Sequence, residues 1–232
     1  MNRSITNIIR FMMDEFIPPI LRDNKYFMYP FFYIAFRGRN IELAMEFKKK
    51  IYHIGKKEYD DFYNTLNAIT TNRPTDLNKP SLDYILNVID SSAGNLIDVG
   101  CGKGYVLKQI RALRPELELF GCDIKEKDDS AQYKFISGSI EQLPFEDRSF
   151  DVVICAHTLE HILNFEKAIA ELKRITRKQL IIAVPCQQYF YYSLDLHINF
   201  FPFKELLVSK INMKNYRCEK LFGDWVYVGN ME

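Results

Sequence analysis

The sequence predicts an α/β fold: a doubly wound, mostly parallel seven-stranded sheet with an antiparallel C-terminal hairpin, preceded by a helical N-terminal extension. Three observations carry this. From Leu96 onward, apolar runs alternate with helix-patterned stretches, which is the pattern of parallel strands joined by crossover helices. A glycine turn, Gly100-Cys101-Gly102-Lys103-Gly104, lies between the first of these runs and the first helix. The first 74 residues show helical periodicity and carry no such turn.

In chain order, Ile5, Ile8, Ile9, Met12 and Met13 form one apolar helical face that ends near Pro18-Pro19. The run from Phe27 to Phe36 is the most apolar of the chain. It is far shorter than the ~20 residues that span a bilayer, and Pro30 breaks it. Ile41, Ala44, Met45 and Phe47 mark a second helix, and Tyr59, Phe62, Tyr63 and Leu66 a third from Glu58 to Ile69. The runs Lys48-Lys49-Lys50 and Lys56-Lys57 read as solvated helix faces. These helices pack on the following domain, join two copies into a homodimer, or form a lid over the acceptor; the sequence leaves these open.

Thr71 to Ser81 is polar and punctuated by Pro74 and Pro80. The boundary is placed there, giving residues 1–74 to the extension and 75–232 to the second domain. Asn78 or Ser81 caps the next helix, which carries Tyr84, Ile85, Val88 and Ile89. Strands are expected at 96–99, 117–122, 133–137, 150–156 and 179–184. Leu107, Ile110 and Leu113 share a helical face before Pro115. Asn164 caps a helix that buries Phe165, Ala168, Ile169, Leu172 and Ile175. A further helix spans Phe203 to Asn212, and strands 216–222 and 225–229 turn at Gly223-Asp224. Only Ile124 to Tyr133 separate the second and third strands, which is short for a crossover helix, so a loop or single turn is expected there.

The 232 residues are 47% hydrophobic and 26% charged, an ordinary soluble composition. With 31 basic and 30 acidic residues the net charge is +1, so no global electrostatic pull toward nucleic acid exists. Asp14 and Glu15 interrupt the first apolar stretch, against a secretory signal. The five cysteines are widely spaced and form no C-x-x-C pair, so neither a metal site nor a disulfide framework is indicated. A cytoplasmic location is the simplest setting.

The glycine turn stands at the carboxyl end of a strand and opens a helix, where nucleotide-like ligands dock in α/β sheets. Glycines allow the sharp bend and the close approach. A dinucleotide fingerprint would place its third glycine at Tyr105, but it comes one residue early, at Gly104. Asp98 is also poorly suited to face a pyrophosphate and well suited to a cationic amine.

The stretch Leu96 to Leu107 resembles the first motif of class I S-adenosylmethionine (SAM) methyltransferases, and Phe120-Gly121-Cys122-Asp123 resembles their second. Phe135 to Phe145, Ser149 to Val153 and Leu159-Glu160-His161 are similar to the small-molecule branch containing ubiquinone-biosynthesis-type enzymes. The resemblance covers roughly residues 75 to 230. It implies a Rossmann-like fold, SAM as cofactor and S-adenosylhomocysteine as product. It implies a cofactor site of Asp98, Gly100, Cys101, Gly102 and Gly104 for the methionine part, Asp123 for the ribose and Ile124 on the adenine. Ser139 and Ile140 would edge the adenine, and Ala156 completes the set. The branch has an acid where this chain has Ser139, so the contact there must be weaker or made otherwise.

SAM carries an electrophilic methyl, so orientation alone can supply up to ~7–11 kcal/mol. A hydroxyl acceptor would gain a further ~10²–10⁴-fold from a base. The candidates are His157, after the fourth strand, and His197, after the fifth; a structural hydrogen bond is the alternative for His157. His161 is expected to start or cap a helix and His53 to lie on the surface. Glu160 would orient its loop. Tyr189, Phe190, Tyr191 and Tyr192 wall an acceptor pocket or serve as core and interface aromatics. Pro185-Cys186-Gln187 resembles the nucleophile motif of DNA cytosine methyltransferases but follows the wrong strand. The loop motif of adenine-N6 methyltransferases is replaced by Ala156-His157-Thr158. The reading is methyl transfer to a small molecule, such as a sugar or lipid-linked intermediate. An RNA or protein acceptor, a non-catalytic SAM-binding scaffold and a nicotinamide dehydrogenase are the rival readings.

Overall fold

The computed structural model describes residues 11–55, 58, 74–124 and 132–232. Apart from Glu58, the helix expected up to Ile69 lies outside them, as do residues 125–131 of the link between the second and third strands. The chain divides into two units, Met1–Arg73 with Gln187–Phe200, and Pro74–Cys186 with Phe201–Glu232.

The described part of the first unit is helical, with α1 (Pro19–Arg22), α2 (Lys25–Ala35), α3 (Ile41–Met45) and α4 (Phe47–Ile51). The Asn24 side chain accepts the N–H groups of Tyr26 and Phe27 and so caps α2. Pro30 does not break this helix. It removes one backbone donor, but Met28, Phe32 and Phe36 keep a single buried face through it. The Phe32 and Phe36 rings stack with centroids 5.7 Å apart. Ile41, Ala44, Met45 and Phe47 are all buried, although the expected helix is divided at Glu46 into α3 and α4. Lys48 departs from the solvated face predicted for the lysine run: it is only 6% exposed.

The second unit is a seven-stranded sheet flanked by helices: α5 (Lys79–Val88), β1 (Asn95–Val99), α6 (Tyr105–Leu113), β2 (Glu118–Asp123), β3 (Lys134–Ser137), β4 (Phe150–Ala156), α7 (Phe165–Ile175), β5 (Thr176–Pro185), α8 (Lys204–Ile211), β6 (Tyr216–Leu221) and β7 (Asp224–Asn230). Asn78 caps α5 through the Ser81 N–H at 2.9 Å, and Asn164 caps α7 through the Lys167 N–H at 3.1 Å. The strand order is β3-β2-β1-β4-β5-β7-β6. The first five strands pair in parallel; β7 runs antiparallel to both β5 and β6.

Alternate residues of each strand face opposite layers. On one side Leu96, Val152, Ile154 and Ile181 meet Leu82 and Ile85 of α5 and Val106, Leu107 and Ile110 of α6. On the other, Ile97, Val153, Cys155 and Ile182 meet Ala168, Ile169 and Leu172 of α7 and Leu207 and Ile211 of α8. Each fully buried aliphatic side chain contributes about 1.5–3 kcal/mol. The chain winds outward from β1 through β2 to β3, then returns to β4 on the other flank of β1. That reversal opens a crevice at the carboxyl ends of β1 and β4, the place where open α/β sheets bind ligands.

Candidate functional site

The sharp end of β1 is built by glycines. Gly100, Gly102 and Gly104 all have positive φ, at 76°, 54° and 65°, the left-handed region that other residues avoid. The Gly100 and Cys101 N–H groups donate to the Cys122 carbonyl at 2.7 and 3.2 Å, which fastens the turn to β2. Space is as restrictive as the dihedrals. A Cβ on Gly100 would overlap the Thr158 side chain, and one on Gly104 would overlap the Tyr133 hydroxyl. Thr158 and Tyr133 therefore shape the turn, and sequence reasoning missed both.

The two acids stand at adjacent strand ends. Asp98 pairs in register with Gly121 of β2 and Ile154 of β4, and it is 2% exposed. Its negative charge helps to raise the pKa values of the Tyr133 hydroxyl and the Cys155 thiol, whose burial is the larger cause. Asp123 ends β2, and its Oδ2 accepts the Gly102 N–H at 2.9 Å. Ile124 follows it with 45% of its surface exposed. Beyond β3, the Ser139 Oγ accepts the Glu141 N–H at 3.3 Å. The Ile140 side chain is buried in the core with Leu143 and Phe150, so it offers backbone rather than side chain to a neighbouring ligand. Cys101 is buried and Ala156 half-buried at the end of β4. The 143–147 loop is held to α7 by Arg174, which donates to the carbonyls of Leu143 and Phe145 and to Glu171 and Asp147.

His157 follows β4 with φ of 51°, and its N–H donates to the Ala183 carbonyl at 2.9 Å. Its ring is buried between two carboxylates. Nδ1 lies 3.1 Å from Glu160 Oε1, and Nε2 lies 3.4 Å from Asp224 Oδ1. Burial alone would lower its pKa, but Asp224 and then Glu160 raise it to about 9. Near neutrality the ring is an imidazolium with both nitrogens protonated. It therefore has no lone pair with which to act as a base, and the geometry supports the structural role. Asp224 also accepts from Asn78 Nδ2 at 2.5 Å and from Ser81 Oγ at 3.0 Å. This network ties the start of α5, the loop after β4 and the β6–β7 turn together. His161 lies in the short 3₁₀ turn Leu159–His161 beside it.

His197 belongs to the first unit. It is buried; its Nδ1 lies 2.6 Å from Gln187 Oε1, and its N–H donates to Ser193 Oγ at 3.2 Å. Of the aromatics beside it, Phe190 is buried and Tyr189 exposed, with the Tyr189 ring edge-on to Phe200 at 5.2 Å. Among the described residues, no helix is long and apolar enough to cross a membrane.

A doubly wound sheet whose order reverses beside a glycine turn, with an acid at or next to the end of each of its first two strands, is a Rossmann-like arrangement. Residues 97–184 match the family model described as a methyltransferase domain. Over these residues the chain is similar to SAM-dependent methyltransferase domains. An uncharacterized methyltransferase of Schizosaccharomyces pombe is 31% identical over 111 residues, covering 40% of this chain and 40% of that protein. A ubiquinone biosynthesis O-methyltransferase of Rickettsia felis is 30% identical over 111 residues, covering 41% of this chain and 44% of that protein. The match thus spans less than half the length of these relatives. A crystal structure from Thermotoga maritima, described as a SAM-dependent methyltransferase and possible histamine N-methyltransferase, superposes with a TM-score of 0.55 at 16% identity. It covers 82% of this chain and 99% of that one. At this identity the likeness shows the fold.

Proposed function

We propose that this chain transfers the methyl group of SAM to a small-molecule acceptor by in-line displacement. The observation that carries the reading is the pairing of a buried carboxylate, Asp98, with the carboxylate of Asp123 across a turn of positive-φ glycines. That donor set fits the ligand. Asp98 would hold the ammonium of the methionine part, and the turn would pass close beneath it. Asp123 would accept hydrogen bonds from the ribose hydroxyls, while exposed Ile124 would give the adenine a flat apolar contact. Ser139, Ile140 and Ala156 would complete the rim. When bound, the sulfonium supplies the electrophilic methyl; the protein's task is to orient the acceptor and exclude water.

The two histidines divide the remaining work. His157, held as an imidazolium by Glu160 and Asp224, would fix the loop after β4. His197 is the candidate base. Its Nδ1 faces the Gln187 carbonyl oxygen, which makes Nδ1 the protonated nitrogen and Nε2 the one that would take the acceptor's proton. The Rickettsia felis relative is named for ubiquinone biosynthesis, which supports an apolar, ring-bearing acceptor over a free sugar. Exposed Tyr189 is suited to such a ring.

Titration calorimetry tests the cofactor half of the reading. SAM or S-adenosylhomocysteine is expected to bind the wild-type chain, and binding is expected to be largely lost in Gly102→Val and in Asp123→Ala. Undiminished binding by both folded variants would contradict this site.

A further inference from the structure

We propose that Lys48 is a positioning residue: its Nζ fixes the segment Gln187–Phe200, and with it His197, so that this segment loosens only when Lys48 is released to water. The inference rests on the reading above that the segment serves the acceptor. The geometry lies wholly within the first unit. Lys48 Nζ donates to the Phe190 carbonyl. It also stands 4.6 Å from the Tyr189 ring centroid and 4.2 Å from that of Phe200. Phe200 in turn lies 6.4 Å from the His197 ring, which links the amine to the candidate base through one side chain. Two neighbours grip the same stretch. The Arg22 guanidinium lies over the Phe190 ring at 4.5 Å, and the Asp23 carboxylate accepts the Tyr191 N–H at 3.0 Å.

Such a clamp has a pH signature. Burial lowers the Lys48 pKa to about 7, with Asp23 opposing the shift. Among the described residues, the neighbouring elements also carry Arg22, Lys25, Glu42, Glu46, Lys49, Lys50, Tyr52, Tyr189, Tyr191, Tyr192, Asp195 and His197. Tyr189 and Tyr192 are pushed up by burial first, so both stay neutral across the range of interest. Released lysine would titrate near its ordinary 10.5. Opening therefore takes up a proton between pH 7 and 10.5, and rising pH favours the closed segment by about tenfold per unit.

Hydrogen exchange on the full chain tests this between pH 7 and 9, after correction for intrinsic rates. Protection of the 189–200 amides is expected to rise about fiftyfold over these two pH units in the wild type, while amides at Ile97 and Val153 of the second unit show no such rise. In Lys48→Met the slope disappears, and at pH 9 exchange is about tenfold faster because the Phe190 carbonyl has lost its donor. In Phe200→Leu, which keeps the amine but removes one ring, the slope persists and its lower limit moves to lower pH. A flat wild-type profile, an unchanged slope in Lys48→Met, or an equal slope in both units would overturn the proposal. Wild-type protein that binds no SAM in calorimetry yet shows this exchange pattern would sink the methyl-transfer reading and leave the clamp standing.

Discussion

Two buried cationic groups, His157 in the second unit and Lys48 in the first, are treated in opposite ways. In the second unit His157 is enclosed by Glu160 and Asp224, and its pKa rises to about 9. In the first, Lys48 meets a carbonyl and two aromatic rings, and its pKa falls to about 7. Burial penalises both charges; a carboxylate in contact decides which way the proton goes. The difference separates a permanent tie from a releasable one. His157 ties the end of β4 to the start of β7, whereas Lys48 holds its segment under a condition that changes near neutral pH.

The sharpest way to break the contrast is Asp224→Ala. It strips His157 of one counter-charge and removes one of the two acceptors that Asn78 and Ser81 share, leaving them the Leu221 carbonyl. A loss of about 3–5 kcal/mol is expected at pH 7, measured by urea unfolding. The only tryptophan, Trp225, lies in β7, so its fluorescence reports on the second unit.

The wild type gives the next largest effect. The folded pKa of His157 lies above its ordinary 6.5. Its stabilisation is therefore fully present below pH 6.5 and is lost as pH rises through 9, by about 3 kcal/mol in all. Lys48 has the opposite sign, because its folded pKa lies below its ordinary value. Its unit should gain stability as pH rises above 7. Calorimetric unfolding of both units across pH 6.5–9 that showed parallel trends would refute the contrast. In His157→Asn, which tolerates the left-handed backbone, the Trp225-reported slope is expected to vanish.

A smaller change sharpens the comparison. Asn78→Ala removes the α5 cap and one donor to Asp224. It is expected to cost about 1–2 kcal/mol while leaving the His157 titration in place. An unchanged urea midpoint would show that the Asn78 contact contributes nothing.

The parts of this account that were legible in the sequence are those set by local pattern. Strand runs, the Asn78 and Asn164 caps and the glycine turn each follow from a few neighbouring residues, and each forms as expected. The unread parts depend on contacts across the chain. Lys48 looked like a solvated member of a lysine run, and only the aromatics some 140 residues later bury it. Asp224 looked like a turn residue, yet its partners lie near residue 78 and near residue 157. Pro30 suggested a helix break, but the buried Met28–Phe32–Phe36 face carries α2 through it. Tyr133 and Thr158 bear no motif signature, and their effect is visible only as the space denied to a side chain at Gly104 and Gly100.

The central claim is that the ends of β1 and β2 form the SAM site, and a crystal soaked with S-adenosylhomocysteine tests it most directly. Density is expected in that crevice, with the amino group against Asp98 and the ribose hydroxyls against Asp123. Density at another place on the sheet, with both carboxylates untouched, would contradict it.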